Sequence, residues 1–331
     1  MRNSLMAGLH SCWNAWRWQR RQQSRSSSIR PWPEPAEDKS RWRLQHPDWL
    51  ARETELIHRY SLQVLEKQSC LPRYLETLAV LDVLDWLALQ GAFEGAHHPA
   101  LGQASAPADG QTKQTAFCWL DVGAKNWSYV AALHSFANRH FCNDETPVAL
   151  TGVELDAYRA YVDGYTRADY AARFTAPLAG ARYLPGDVCQ HQARYHFISL
   201  FLPFVLLEPC LAWGLSKAQF QPQAMLAHLL SLLHPGGVLL VINQGAVEAQ
   251  AQWEYFSKLS GWSHCWPLGV QTQPTVAGHT IQTDDFTLTY WGEQPTTFLA
   301  YQHPRIVWQC QTHSTYSPRC PQPSFGLETS R

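Results

Sequence analysis

Hydrophobic positions change rhythm along this chain. From Pro47 they recur at helical spacing: Trp49, Leu50, Ile57, Tyr60, Val64 and Leu65 with charged residues between them, then Leu71, Tyr74, Leu75, Leu78 and Leu81. Helices are therefore expected ahead of any sheet, with Asp82 and Asp85 on their solvated face. Residues 91–115 are rich in Gly, Ala, Pro, Gln and Ser and read as a linker. From Phe117 the apolar runs shorten to strand length. They occupy residues 117–120, 147–153 (ending on Glu154), 182–188, 195–202 and 238–243. Uninterrupted runs of this kind suit strands covered on both faces, as in a parallel α/β sheet.

Helical stretches separate these runs. One starts at Ser128. A second carries Tyr158, Tyr161, Val162 and Tyr165 at i, i+3, i+4 and i+7, with Asp156 placed to cap it. A third carries Met225, Leu226, Leu229, Leu230 and Leu233 and stops at His234-Pro235-Gly236-Gly237, while residues 246–258 form a fourth, ended by Ser260-Gly261. Late β-rich runs follow at 286–291, 297–301 and 305–310. The pair flanking His303-Pro304 reads as a terminal antiparallel hairpin. The pattern divides the chain into a disordered basic tail (1–45), a helical segment (46–91), the linker (92–115), a sheet domain (116–310) and a second disordered tail (311–331).

Composition narrows the picture. A chain of 331 residues is long enough for a large core, and a formal net charge of -1 creates no global field for nucleic acid or anionic membrane. The charge is uneven, because Arg2, Arg17, Arg20, Arg21, Arg25 and Arg30 precede the first acid, Glu34. Trp13, Trp16 and Trp18 lie among these arginines. They either pack onto the domain or form an amphipathic or stacking segment for a membrane surface or single-stranded nucleic acid. The nine cysteines form no C-x-x-C pair, which favours free thiols in a reducing, cytoplasmic compartment; the Arg- and Ser-rich start leaves organellar import open. Residues 197–215 are too interrupted by Pro203, Glu208 and Pro209 to span a membrane.

Five short motifs fall in a telling order: Leu120-Asp121-Val122-Gly123, Gly152-Val153-Glu154-Leu155-Asp156, Gly186-Asp187-Val188, Phe201-Leu202-Pro203-Phe204 and Leu233-His234-Pro235-Gly236-Gly237. Over roughly residues 120–245 the chain resembles the Rossmann-like (class I) S-adenosylmethionine-dependent methyltransferases. That resemblance implies a mostly parallel sheet closed by an antiparallel hairpin, S-adenosylmethionine as cofactor, and transfer of its methyl group to an acceptor, expected to be a small molecule. It further implies a set of cofactor-binding positions. Asp121 and Gly123 would shape the turn after the first strand, with Lys125 beside the methionyl carboxylate. Glu154, followed by Leu155, would accept the ribose hydroxyls; Asp187 and Val188 would face the adenine, and Phe201 and Leu202 would lie near the adenine or methyl group.

The chain departs from the family in two respects. Lys125 and Trp127 stand where its Gly-x-Gly-x-Gly turn has the second and third glycines, and Phe201 replaces the side-chain acceptor used in amine methylation of bases or glutamine. The interval from Gly123 to Glu154 exceeds the roughly 20 residues of dinucleotide fingerprints, and a loop near Asn143-Asp144-Glu145 would absorb the excess. No metal is expected from Cys189, His191 and His196, nor from His97-His98, and Ser199 lacks the glycines of a hydrolase elbow. His196 and His303 are the candidate general bases. Two rival readings remain: a catalytically degenerate methyltransferase-like scaffold, and a nucleotide-dependent oxidoreductase, which the incomplete Gly-x-Gly-x-x-Gly weakens. The sequence does not specify the oligomeric state.

Overall fold

The computed structural model describes residues 2–23, 36–89, 93, 116–142, 147–258, 265–271, 287–288, 296–297 and 305–311. The helices α1 (Arg2–Gln23), α2 (Ser40–Gln45), α3 (Leu50–Arg59), α4 (Gln63–Gln68) and α5 (Leu71–Leu89) precede the sheet. Then follow β1 (Phe117–Val122), α6 (Val130–His140), β2 (Val148–Glu154), α7 (Arg167–Thr175), β3 (Ala181–Pro185) and β4 (Tyr195–Phe201). The remaining elements are α8 (Leu207–Ala212), α9 (Pro222–Ser231), β5 (Leu233–Gln244), α10 (Gly245–Ser257), β6 (Cys265–Gln271), β7 (Thr287–Leu288), β8 (Thr296–Thr297) and β9 (Arg305–Gln311).

The main sheet has the order β3-β2-β1-β4-β5-β9-β6, and among the described residues β7 pairs with β8. The five strands β3, β2, β1, β4 and β5 are mutually parallel, while β9 runs antiparallel between β5 and β6. Successive residues along β1 serve opposite cores. Trp119 faces a cluster with Tyr74, Leu78, Phe136, Tyr170 and Phe197, so α5, α6 and α7 cover that side. Leu120 and Val122 face Ile198, Leu226, Leu229, Leu239 and Phe256 on the side of α9 and α10. Each such side chain fully buried contributes about 1.5–3 kcal/mol, and covering both faces is what continuous apolar strands require.

Several expectations change. Residues 2–23, read as disordered tail, form α1, whose buried Asn14 donates to the Leu211 and Leu215 carbonyls at 3.0 and 2.8 Å. Asp82 and Asp85 are buried rather than solvated. Arg52 donates to Asp82 at 2.7 Å and to Asp85 at 2.9 Å, and Arg59 and Tyr60 donate to Asp85 at 2.7 and 2.6 Å. The aromatic stripe 158–165 is a series of turns closed by an Ala160–Thr166 bridge. Helix α7 begins only at Arg167, where Thr166 and Asp169 form a capping box. α9 ends at Ser231, so Leu233 and the Pro-Gly-Gly segment belong to β5. The strands beside β9 are β5 and β6, not 297–301, of which only Thr297 is described, in β8. The linker apart from Phe93, the loop 143–146, His97-His98, Ser260-Gly261, Trp291, Tyr301, His303 and the tail beyond Gln311 lie outside the described residues.

Candidate active site at the carboxyl ends of β1, β2 and β4

The turn after β1 alternates its backbone handedness. Gly123, Lys125 and Trp127 have φ of 76°, 51° and 54°, all in the left-handed region. For Lys125 and Trp127 that conformation costs about 1–2 kcal/mol each. The N–H groups of Gly123 and Ala124 bond to the Val153 carbonyl at 2.9 and 3.2 Å, tying the turn to β2. Gly123 is exposed, and a Cβ built on it would meet no atom within 4 Å.

Asp121 holds this turn from beneath. Its Oδ2 accepts from Trp127 Nε1 at 2.9 Å and from the Tyr129 hydroxyl at 2.8 Å, and its Oδ1 accepts from Ser199 Oγ at 2.6 Å. Ser199 in turn accepts from Trp119 Nε1 at 2.9 Å, so it is a relay in the core. Burial pushes the Asp121 carboxyl up to about 7, with the three donors acting in the opposite sense. The Trp127 indole is fully buried against Gly152, where a Cβ would come within 2.8 Å of the ring.

Glu154 is the second centre. Its Oε2 accepts from the Lys125 N–H at 2.9 Å, and its Oε1 accepts from the Asp156 N–H at 2.8 Å and from Arg167 Nη1 at 2.9 Å. Arg167, at the first turn of α7, is itself buried. Burial disfavours its charge, but Glu154 together with Tyr161, Asp156 and Tyr183 outweighs that and raises its pKa. Trp213, just after α8, brings Lys125 and Arg167 to one ring: Nζ lies 4.9 Å and the guanidinium carbon 5.9 Å from its centroid. Tyr183 donates to the Lys125 carbonyl. Next along the chain, Trp18 of α1 lies 3.4 Å from the Leu155 carbonyl, and Arg21 makes a two-pronged pair with Asp156 at 2.8 and 2.9 Å.

The other expected positions sit on the same edge of the sheet. Gly186 N–H bonds to the Glu154 carbonyl at 2.9 Å, which sets Asp187 beside the end of β2. Asp187 is exposed and caps the short helical turn that follows, accepting from Cys189 N–H at 2.9 Å; Val188 is buried in the core. Phe201 is half-buried with its ring edge-on to Tyr129 at 5.8 Å, and Leu202 adopts φ 52° while bonding to the Ile242 carbonyl at 2.8 Å. His196 does not belong here. It lies at the opposite end of β4, accepts from Cys118 N–H at 3.0 Å, and is pushed down to about 4 by burial and by His234. It is therefore not a base for chemistry at the crevice. His191 pairs with the Tyr195 hydroxyl.

Five parallel strands with an antiparallel strand inserted before the edge, and a left-handed turn after β1, define the architecture. The fold is a mostly parallel, Rossmann-like α/β sheet, the architecture that the resemblance in the sequence implies. No protein-family model and no curated protein sequence matches the chain. Among solved structures it is similar to the CMeT domain of the citrinin polyketide synthase (10% identity, 61% of this chain and 48% of that one, TM-score 0.38). It is also similar to precorrin-6y C5,15-methyltransferase from Geobacter metallireducens (6% identity, 60% of this chain and 82% of that one, TM-score 0.35). A third similarity is to phosphoethanolamine N-methyltransferase 1 of Haemonchus contortus, in complex with phosphoethanolamine and S-adenosylhomocysteine (13% identity, 44% of this chain and 25% of that one, TM-score 0.28). The chain thus spans about half of the polyketide synthase domain and a quarter of the Haemonchus enzyme.

Arg167, Tyr129, Tyr183 and Trp213 are not among the site positions expected from the sequence. Tyr129 follows the turn closely enough to have been suspected. Arg167 and Trp213 reach the site only through tertiary packing, and no local pattern announces them.

Proposed function

We propose that this chain binds S-adenosylmethionine beyond the carboxyl ends of β1, β2 and β4 and transfers its methyl group to a small-molecule acceptor. The observation that carries this reading is the turn itself. Residues 123, 125 and 127 follow the alternating left-handed path that a Gly-x-Gly-x-Gly turn would take, although two of the glycines are replaced. A backbone held in that path at a strand end, with Gly123 open to solvent, suits close approach of a ligand.

The fit of the cofactor to Glu154 is partial. A carboxylate offers about four acceptor positions, and three are filled by protein donors. Oε2, with one donor, retains the capacity for one ribose hydroxyl, so Glu154 would bind one oxygen of the diol while Arg167 fixes Oε1. Asp187 would accept from the adenine amine, Leu155 and Val188 would flank the base, and Lys125 would answer the methionyl carboxylate. The bound cofactor supplies an electrophilic methyl group on its sulfonium. The chain's part is to orient the acceptor for in-line attack and to keep water out, with Phe201, Leu202 and Tyr129 forming the apolar wall at the end of β4. Phe201 has no side-chain acceptor, which argues against amine methylation of bases or glutamine.

A second reading, a ligand-binding scaffold without catalysis, is favoured by the Glu154–Arg167 pair, which already engages the ribose-binding carboxylate. Isothermal titration calorimetry with S-adenosylmethionine, S-adenosylhomocysteine and NAD separates these readings. Micromolar binding of the first two supports the cofactor assignment and justifies an acceptor screen. Absence of both in folded protein favours the scaffold, and binding of NAD alone overturns the cofactor assignment.

A further inference from the structure

We propose that the outward face of α1 docks this protein onto an anionic lipid surface. The helix has two unlike sides. The inner side is built into the fold through Asn14, Trp18 and Arg21, which bond to the α8 region, to Leu155 and to Asp156. The outer side carries Trp13 and Trp16, 56% and 47% exposed, together with the exposed Arg17 and Arg20. Positions 13, 16, 17 and 20 are i, i+3, i+4 and i+7, so the four side chains form one stripe. The helix contains no acidic residue, and the chain as a whole has a formal net charge of -1, so the positive field is local to this stripe.

The chemistry of the stripe matches a bilayer interface. Indole rings favour the boundary between acyl chains and headgroups, where the apolar body is buried and the N–H stays hydrated. Guanidinium groups beside them pair with lipid phosphates and carboxylates. A single-stranded nucleic acid fits less well, because base stacking needs open ring faces. Trp13 and Trp16 stack on each other at 5.1 Å, and Arg20 lies 5.2 Å from the Trp16 centroid. Since the inner side already anchors the helix, docking requires no coupled folding and loses little conformational entropy. No helix among the described residues is long and apolar enough to cross a membrane, so the association would be peripheral. It would set the end of β2 about one helix diameter, ~10 Å, from the headgroups, since the opposite side of α1 touches Leu155 and Asp156.

The test is co-sedimentation of the full chain with phosphatidylcholine vesicles and with mixed phosphatidylcholine–phosphatidylserine vesicles. Binding is expected only to the mixed vesicles and should weaken as salt is raised. Arg17→Gln and Arg20→Gln should each weaken it about fivefold, and Trp13→Ser combined with Trp16→Ser should abolish it. All four side chains are exposed, so an unchanged circular dichroism melt keeps the comparison clean. Failure to sediment with anionic vesicles, or undiminished sedimentation of the tryptophan variant, overturns the proposal. Capture of polyuridylate in place of vesicles overturns it in favour of nucleic acid. None of these outcomes depends on whether S-adenosylmethionine binds.

Discussion

Arg167 Nη1 donates to Glu154 Oε1 at 2.9 Å, and both side chains are over nine-tenths buried. A buried pair of this kind contributes little net stability against an apolar replacement, but removing one partner strands the other charge. Arg167→Ala should therefore destabilise the fold by about 3–5 kcal/mol in chemical denaturation. A loss below about 1 kcal/mol, the range of surface pairs, would mean that water reaches Glu154.

If Glu154 holds the cofactor ribose, Glu154→Ala should weaken S-adenosylmethionine binding by about 1.5–3 kcal/mol. Calorimetry on the folded variant reads this directly, and unchanged affinity would remove Glu154 from the site.

Asp121 predicts a pH signature. Its folded pKa, about 7, lies above the ordinary carboxylate value of 3.8, so the folded state holds its proton more tightly than the unfolded state. The contribution to stability is fully present below about pH 3.8 and is lost as pH rises through about 7. Asp121→Asn keeps an oxygen for Trp127 and Tyr129 and an N–H for Ser199, so it should fold and flatten this part of the stability–pH curve. Parallel curves for the two proteins would contradict the assignment.

Trp127 and Gly152 are predicted to be coupled. Gly152→Ala places a methyl group 2.8 Å from the indole and should cost about 1–3 kcal/mol. Trp127→Gly relieves the left-handed backbone but empties a core position, for a net loss of about 3–5 kcal/mol. In the double variant the Gly152→Ala penalty should vanish, and simple additivity in a double-mutant cycle would show that the two residues do not touch.

Docking of α1 is testable through Asn14. Asn14→Ala removes the donor to two carbonyls near α8 and should cost about 1–3 kcal/mol. An unchanged denaturation midpoint would return residues 2–23 to the status of a loose tail.

The strands were legible wherever burial on both faces leaves a continuous apolar run, as in β1, β2 and β4, and the helix expected at 246–258 stands as α10. The failures share a cause in partners supplied from elsewhere in the chain. Asp82 and Asp85 interrupt an apolar helix because Arg52 and Arg59 come across from α3 to meet them. Tyr161 and Tyr165 mimic a helical stripe but pack on Tyr170 from turns. The start of α7 was nonetheless readable, since Thr166 and Asp169 have the spacing of a capping box. At the site, the positions at the strand ends were visible as motifs. What fills them was not, because Arg167, Trp213 and Arg21 are brought to Glu154, Lys125 and Asp156 by packing rather than by spacing.

The place of β9 between β5 and β6 has a consequence for how the chain is made. During synthesis β5 leaves the ribosome with one edge bare, and β6 follows without a strand to bind. Only when Arg305–Gln311 emerges can both be paired, so the nascent sheet keeps an open edge until β9 has been made. A protein halted before that segment would hold the whole turn around Asp121 and still leave β5 with an unpaired edge, so the arrival of β9 is the step that closes the sheet between β5 and β6.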